Sequence, residues 1–232
     1  MTDIWQESCI FTPSIITLDL GNLERDVHTL ESCGIQMLHV DLLDGHFSPS
    51  MPLGLDTVRQ LRQLTDLPFD CHVMATNNDF FIGELLDIGV QQIVFHVETE
   101  PHIDGMLNRI HTAGVRAGLA LRPATSLNVL DFPLEKCDTV LLMLINPGFA
   151  SAKNEQQVPY AARKICQLHE MIDSRGLDTA IELDGRISVR DIGAWHQQAS
   201  LFVLGSTCIQ RKDLAGSITA LMSMRRELIR KD

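Results

Sequence analysis

The chain has 232 residues, 45% of them apolar, and a formal charge of -11. That length suits one globular domain with a full core, and the acidic balance argues against a general nucleic-acid surface. It leaves room for an anionic small molecule, because backbone amides at helix N-termini hold phosphate without net positive charge.

In chain order, Ile10 to Thr17 reads as a first strand, interrupted at Pro13 and containing Ser14. Asn22 is placed to cap a helix running to Ser32, with Leu23, Val27 and Leu30 on one side, and Gly34 stops it. A second strand starts near Gln36 and carries His39 and Asp41. Residues two apart on a strand share a face, so these two point the same way. The segment from Gly45 to Pro52 is too rich in proline for a regular element, and a loop after a strand is a natural place for function. A helix at 55–64 follows, then strand 69–73 with His72, a helix at 79–88 ended by Gly89, and strand 92–97 with His96. Helix 102–113 and strand 115–121 repeat the cycle. Ser126 to Leu130 leaves space for a short helix only. Strand 139–144 runs into the small-residue loop that starts at Asn146, and helix 156–173 follows. Strand 179–183, Asp184, helix 188–197, strand 201–204 and helix 213–229 complete the chain.

These are eight strand–helix units, and such alternation indicates parallel βα pairing. Eight units in this length fit a closed (β/α)8 TIM barrel. An open doubly wound sheet competes, but no GxGxxG follows the first strand. The cysteines (Cys9, Cys33, Cys71, Cys137, Cys166 and Cys208) are scattered without a CxxC pair and read as free, mostly buried thiols. The N-terminus lacks the basic and apolar regions of a signal peptide, and no apolar run reaches membrane-spanning length, so a cytoplasmic location is expected.

Barrel sites lie at the C-terminal ends of strands. His39, Asp41, His72 and Asp184 read as strand-end residues that a closed barrel brings together. One such histidine alone is ordinarily a hydrogen-bonded structural group. Two imidazoles and two carboxylates in equivalent places suit one divalent transition metal ion per chain: zinc, iron, manganese or cobalt. Met74 and Met143 also fall at strand ends, either as core filler or as an adaptable apolar wall.

Several motifs carry a family resemblance across nearly the whole chain. They are Pro13-Ser14-Ile15, the run from His39 through Asp41, Asp44-Gly45 and Phe47 to Pro49, Asp70-x-His72-x-Met74, His96-x-Glu98, Asn146-Pro147-Gly148-Phe149, Asp184-Gly185 and Gly205-Ser206. In this order they resemble the ribulose-phosphate 3-epimerases and the related allulose-6-phosphate 3-epimerases. The resemblance implies a barrel of the ribulose-phosphate-binding type over residues 1–232. It implies His39, Asp41, His72 and Asp184 as metal ligands, with Asp41 and Asp184 also the catalytic acid and base. Ser14, His72, Met74 and Met143 would surround the substrate, and Gly148, Gly185, Gly205 and Ser206 would wrap its phosphate. The partner implied is a small ketose phosphate, and the assembly a homo-oligomer, dimer or hexamer. No nucleic acid or membrane partner is expected.

The chain departs from that pattern around the phosphate. Members usually continue Asn-Pro-Gly-Phe with two glycines and a glutamine, where this chain has Ala150-Ser151-Ala152-Lys153. The usual Asp-Gly-Gly is Asp184-Gly185-Arg186. Arg186 can clamp a phosphate with its planar fork, or point to solvent. The default substrate pair is therefore D-ribulose 5-phosphate and D-xylulose 5-phosphate, with allulose 6-phosphate or another ketose phosphate as the alternative. Metal-dependent aldol cleavage and a silent sugar-phosphate-binding barrel are the readings outside epimerase chemistry.

Overall fold

The computed structural model describes residues 4–149, 152 and 154–230. Of the unusual 150–153 stretch, only Ala152 lies within them. Eight strands are present: β1 Ile10–Pro13, β2 Leu38–Leu43, β3 Phe69–Met74, β4 Gln92–His96, β5 Arg116–Leu121, β6 Thr139–Met143, β7 Ala180–Asp184 and β8 Leu201–Leu204. All neighbours are parallel, in the order β1-β8-β7-β6-β5-β4-β3-β2. A parallel bridge between Ser14 and His39 joins the two ends and closes the barrel. The doubly wound alternative is thereby excluded.

Seven α-helices surround the strands among the described residues: α1 Leu23–Ser32, α2 Leu55–Leu64, α3 Asn78–Ile88, α4 Ile103–Thr112, α5 Ala161–Arg175, α6 Val189–Trp195 and α7 Leu214–Ile229. The expectation of a helix after every strand fails once. After β5 the chain makes only 3-10 turns, at Leu127–Leu130 and Pro133–Lys136. The first strand is also shorter than its apolar run. It stops at Pro13, and Ile15–Thr17 tightens into a 3-10 turn with Thr17 Oγ1 donating to Ser14 O at 2.7 Å. Helix α5 begins five residues later than the sequence suggests. Pro159 disfavours helical backbone at Val158, and Val158 N instead donates to Leu144 O at 2.9 Å. Other boundaries follow local chemistry. Asn77 accepts from Phe80 N to start α3, Ser188 and Asp191 form a reciprocal capping box on α6, and Asp213 accepts from Gly216 N on α7.

Strand alternation sorts the molecule into two interiors. Outward residues such as Val40, Val73, Phe95, Leu119, Leu142 and Phe202 pack against the inner faces of the helices in one large apolar layer. Inward residues include the polar set His39, Asp41, Asp70, His72, Gln92, His96, Thr139 and Glu182, all buried. The apolar side chains of the barrel interior form small clusters, one of Val94, Ala120, Leu141, Met143 and Ile145 and one of Ile10, Met37 and Leu201. So many buried polar groups are costly unless each has a partner, and their partners form the candidate site described below.

Gly118 shows how tightly β5 and β6 are fitted. A Cβ there would sit 2.6 Å from Thr139 O and 3.0 Å from Val94 Cγ2. Gly118→Ala is expected to destabilise the fold by about 1–3 kcal/mol through overpacking. Gly105→Ala, in α4 with open space around it, is expected to be neutral or stabilising by about 0.5–1 kcal/mol. Thermal denaturation of the two variants checks the contrast, and equal effects would show that the β5–β6 contact is looser than described.

Candidate active site and metal centre

The register of three strands assembles the site. β2 pairs with β3 so that His39 faces Asp70 and Asp41 faces His72, while Asp184 ends β7 beside Met143 of β6. His39, Asp41 and His72 lie inside their strands rather than at the ends, so that expectation is corrected. The strands continue two or more residues beyond them, and alternation turns the three side chains toward the barrel axis. Asp184 alone is strand-terminal.

His39, Asp41, His72 and Asp184 each offer one ligand atom, and all four atoms lie within 4.8 Å of one another. His39 Nε2 is 3.3 Å from Asp41 Oδ1. His72 Nδ1 is 3.5 Å from Asp41 Oδ1 and 3.6 Å from Asp184 Oδ2. His39 Nε2 and His72 Nδ1 are fully buried yet make no hydrogen bond of ordinary geometry within the described residues. Two buried ring nitrogens aimed at two carboxylates are what a divalent cation needs. The donor set fits a metal with nitrogen and oxygen preference and leaves its identity open among zinc, iron, manganese and cobalt.

An outer layer, absent from the sequence reading, orients the histidines. His39 Nδ1 lies 2.6 Å from Asp70 Oδ2 and 3.3 Å from Glu182 Oε1. Gln92 Nε2 donates to Asp70 Oδ1 at 2.8 Å, and Thr139 Oγ1 donates to Gln92 Oε1 at 2.7 Å. With Nδ1 committed to Asp70, His39 presents Nε2 to the ion position, the usual carboxylate–histidine arrangement of metal sites. The signal for this layer was the polar residue two positions before each site residue: Asp70 before His72, and Glu182 before Asp184.

Electrostatics follow from the enclosure. Burial opposes ionisation of Asp41, but the His39 and His72 imidazoles outweigh it and hold the carboxyl well below the usual range. Burial likewise opposes charge on His39, yet Asp41 and Asp70 push its pKa up. His72 is raised despite burial by its contacts to Asp184 and Asp41. Glu182 is driven upward by burial and by the adjacent Asp70. The inner cluster thus favours positive charge at its centre.

Above it opens a cavity of about 410 Å³. Asp41 and Asp184 reach its floor, with Ser14, Met74, Met143 and Ile145 around them. Ser14 Oγ donates to Asp41 Oδ2 at 2.5 Å. Gly148, Gly185, Arg186, Gly205 and Ser206 line the cavity as well. Every site residue expected from the sequence therefore belongs to the inner cluster or to this cavity. Gly148 has φ +83°, and a Cβ would collide with Ser48 Oγ. Gly185 has φ +117°, and a Cβ would fall 2.8 Å from Ile145 N. Arg186 itself adopts a left-handed φ of 52°, and its Nη2 donates to Ala152 O at 2.8 Å. Arg211 is a cavity residue that sequence reasoning missed. Its Nε and Nη2 donate to Thr17 O at 2.5 Å and Ile16 O at 3.3 Å. Its signal was a basic pair, Arg211-Lys212, shortly after Gly205-Ser206.

Comparison with known proteins gives the family of the chain. The profile of the Ribulose-phosphate 3 epimerase family matches residues 10–209. The chain belongs to this family. Membership places it among the isomerases acting on carbohydrates. Relatives named ribulose-phosphate 3-epimerase include one from Methanocaldococcus jannaschii, 32% identical over 94% of this chain and 92% of the relative. One from Escherichia coli is 32% identical over 92% of this chain and 95% of the relative. Among solved structures, a mutant tryptophan synthase α-subunit from Pyrococcus furiosus superposes with a TM-score of 0.66 at 12% identity, covering 94% of this chain and 99% of that one. The α-subunit from Legionella pneumophila gives 0.61 at 16% identity, covering 96% and 93%. These two similarities concern the barrel fold alone. The six cysteines of this family member are free thiols, four of them buried. No helix among the described residues is long and apolar enough to cross a membrane.

Proposed function

We propose that this chain catalyses metal-dependent epimerisation at C3 of a ketose phosphate, with D-ribulose 5-phosphate and D-xylulose 5-phosphate as the default pair. The observation that carries the reading is the convergence of Asp41 from β2 and Asp184 from β7 on His72 Nδ1, at 3.5 Å and 3.6 Å, under one cavity. Epimerisation beside a ketone removes a proton from C3 and returns one to the opposite face. One of the two carboxylates accepts the C3 proton, and the electron pair moves toward the carbonyl, giving a cis-enediolate. The other carboxylic acid then delivers a proton to C3 from the far side, and the roles exchange in the reverse direction. A divalent metal held by His39, Asp41, His72 and Asp184 supplies Lewis-acid stabilisation of the charge that develops on adjacent substrate oxygens. Ser14 Oγ, donating to Asp41 Oδ2, orients that carboxylate. Met74, Met143 and Ile145 form an apolar wall that keeps bulk water from the reacting carbon.

The phosphate end is assigned to the β6, β7 and β8 loops. Gly148, Gly185, Gly205 and Ser206 let backbone approach closely, and Arg186 brings a guanidinium to the same wall. Arg186 to Ala is expected to raise KM for the phosphorylated substrate by about tenfold or more, as for loss of a charge-assisted hydrogen bond. The effect on kcat should be smaller, since the contact exists in ground and transition states alike. Steady-state kinetics on the true substrate checks this, and an unchanged kcat/KM would assign Arg186 to strapping the 152 loop only.

Arg186 lines the cavity where the family pattern has a glycine, and this departure supports a second substrate reading, the 3-epimerisation of D-allulose 6-phosphate or another ketose phosphate. Proton NMR in deuterium oxide, across a panel of ketose phosphates with metal-loaded protein, decides between them. Deuterium appearing at C3 with inversion identifies substrate and reaction together. Cleavage to two smaller products would replace epimerisation by aldol chemistry, and no change in any compound would leave a binding barrel. The family reading further takes residues 1–232 as one barrel domain that works in the cytoplasm as a dimer or hexamer.

A further inference from the structure

His96 and Glu98 take no part in the scheme above, yet they are built into its floor. His96 is fully buried at the end of β4. Its Nε2 lies 3.0 Å from His72 Nε2, and its Nδ1 lies 2.9 Å from Glu98 Oε2. The other oxygen of Glu98 accepts from Arg122 N at 2.8 Å and from Thr125 Oγ1. Phe47 packs against the His96 ring at a tilt of 45° with centroids 4.6 Å apart, and the Arg122 guanidinium lies 4.2 Å over the Phe47 ring. Phe47 is itself held in place, because Asp44 Oδ1 accepts from Phe47 N at 2.7 Å and from His46 N at 2.8 Å.

These contacts leave one consistent arrangement of protons. A carboxylate only accepts, so the proton between Glu98 and His96 sits on His96 Nδ1. A neutral imidazole protonated there has a lone pair on Nε2. That lone pair accepts from His72 Nε2–H. His72 therefore carries its proton on Nε2 and turns an unprotonated Nδ1 toward Asp41 and Asp184, as a metal ligand must. We infer that His96 is a positioning residue that fixes the tautomer and ring plane of His72 for metal binding, and that Glu98, anchored by the 122–125 loop, fixes His96 in turn. The arm through Asp70 does the same for His39, but directly from a carboxylate. For His72 the orienting carboxylate acts at one remove, through a second imidazole.

This inference rests on the metal reading of the site, and its test separates the two. The probes are zinc alone, titrated into metal-free protein in competition with a chromophoric chelator, and nitrogen-15 NMR of the histidine rings at alkaline pH. His96→Gln retains an acceptor for His72 Nε2–H, whereas His96→Leu retains bulk without one. Glu98→Gln, at a partly exposed position, removes the charge that holds His96 and guards against a His96 variant that fails to fold. Wild-type His72 is expected to be protonated at Nε2, His96→Leu to show mixed tautomers and zinc affinity roughly 10–100-fold weaker, and His96→Gln to recover most of the loss. Glu98→Gln should fall between. A packing role alone would make Leu no worse than Gln. Equal zinc affinity in folded Leu, Gln and wild-type proteins, or a wild-type His72 protonated at Nδ1, overturns the assignment. Wild-type protein that takes up no zinc defeats the metal reading itself, and the tautomer spectra then still decide whether His96 orients His72.

Discussion

Replacing either Asp41 or Asp184 by Asn is expected to abolish net epimerisation, with a loss beyond the roughly 10²–10⁴-fold of a lone acid or base. The excess arises because each residue has two duties. Each carboxylate faces the cavity, where the proposed mechanism puts C3, and also belongs to the four residues that could hold a metal ion. An amide removes the proton-transfer group and places N–H donors where a cation would sit. The two variants should differ in secondary effects. Asp41 is buried among Ser14, His39 and His72, so its replacement also disturbs the Ser14 hydrogen bond and removes the charge that faces both imidazoles. Asp184 is half-open to the cavity and should be better tolerated by the fold. Metal content and thermal stability measured beside activity separate these effects. The sharper measurement is deuterium exchange at C3. With two bases, wild-type product formed early carries solvent deuterium, while unreacted substrate gains less. Each single variant should retain slow exchange only for the epimer whose C3 hydrogen faces the remaining aspartate. Early product that keeps its own C3 hydrogen almost completely would require a single shuttling base or a hydride path in place of the Asp41/Asp184 pair.

Removal of the metal is expected to be about as damaging. Lewis-acid stabilisation of a developing enediolate amounts to several kcal/mol, so chelation should lower the rate roughly a thousandfold or more. Readdition of zinc, iron, manganese or cobalt should restore activity to different extents. Elemental analysis of gently purified protein should find about one such ion per chain. His39→Ala and His72→Ala should both lose the ion, for distinguishable reasons. His39 faces Asp70 and Glu182 as well as Asp41, so its removal strands buried carboxylates and should also destabilise the fold by about 3–5 kcal/mol. His72→Ala leaves its two carboxylates next to the cavity and should cost less stability. The pH dependence has a definite sign. His39 and His72 have raised pKa values in the metal-free protein, so protons compete for the ligand nitrogens as pH falls. Metal affinity should therefore rise with pH and uptake should release protons. Full activity after exhaustive chelation, with the metal shown to be gone, would remove the metal from the mechanism.

Much of this molecule was legible from local pattern. Strand and helix periodicity and the glycine stops at Gly34 and Gly89 act over a few residues, so they can be read without knowing the fold, whereas Asn22 sits at the start of α1 without capping it, its side-chain amide donating to Asp19 Oδ2 instead. The same holds for the inward direction of His39 and Asp41, which two-residue alternation dictates. The identity of the four cluster residues came from motif and residue type. Where the local reading erred, a proline such as Pro159 or a distant partner had intervened. Helix α5 starts late because Val158 N is taken by Leu144 O and Gln157 Nε2 by Gly185 O, at the mouth of the barrel. After β5 the short helix expected over Ser126 to Leu130 forms as a 3-10 turn at Leu127–Leu130, and the second turn, at Pro133–Lys136, had no sign in periodicity or spacing.

The residues of the outer layer stood in the sequence two positions before His72 and Asp184, but their pairing with His39 did not. Asp70 and Glu182 are 112 positions apart (182 − 70), and no periodicity relates them. Only closure of the barrel, with β2 beside β3 on one side and β7 reached across the interior, sets both against the same His39 ring. The same holds for His96 against His72 and for Arg211 in the cavity wall. Sequence by itself determined which groups are available and which way each strand turns them, because those follow from covalent geometry and local hydrogen bonding. Tertiary structure decided which charges meet in a dry interior. Coulomb energy and desolvation depend on distance and burial rather than on chain separation, so the proton on His39 and the lone pair on His72 exist only once the strands have closed.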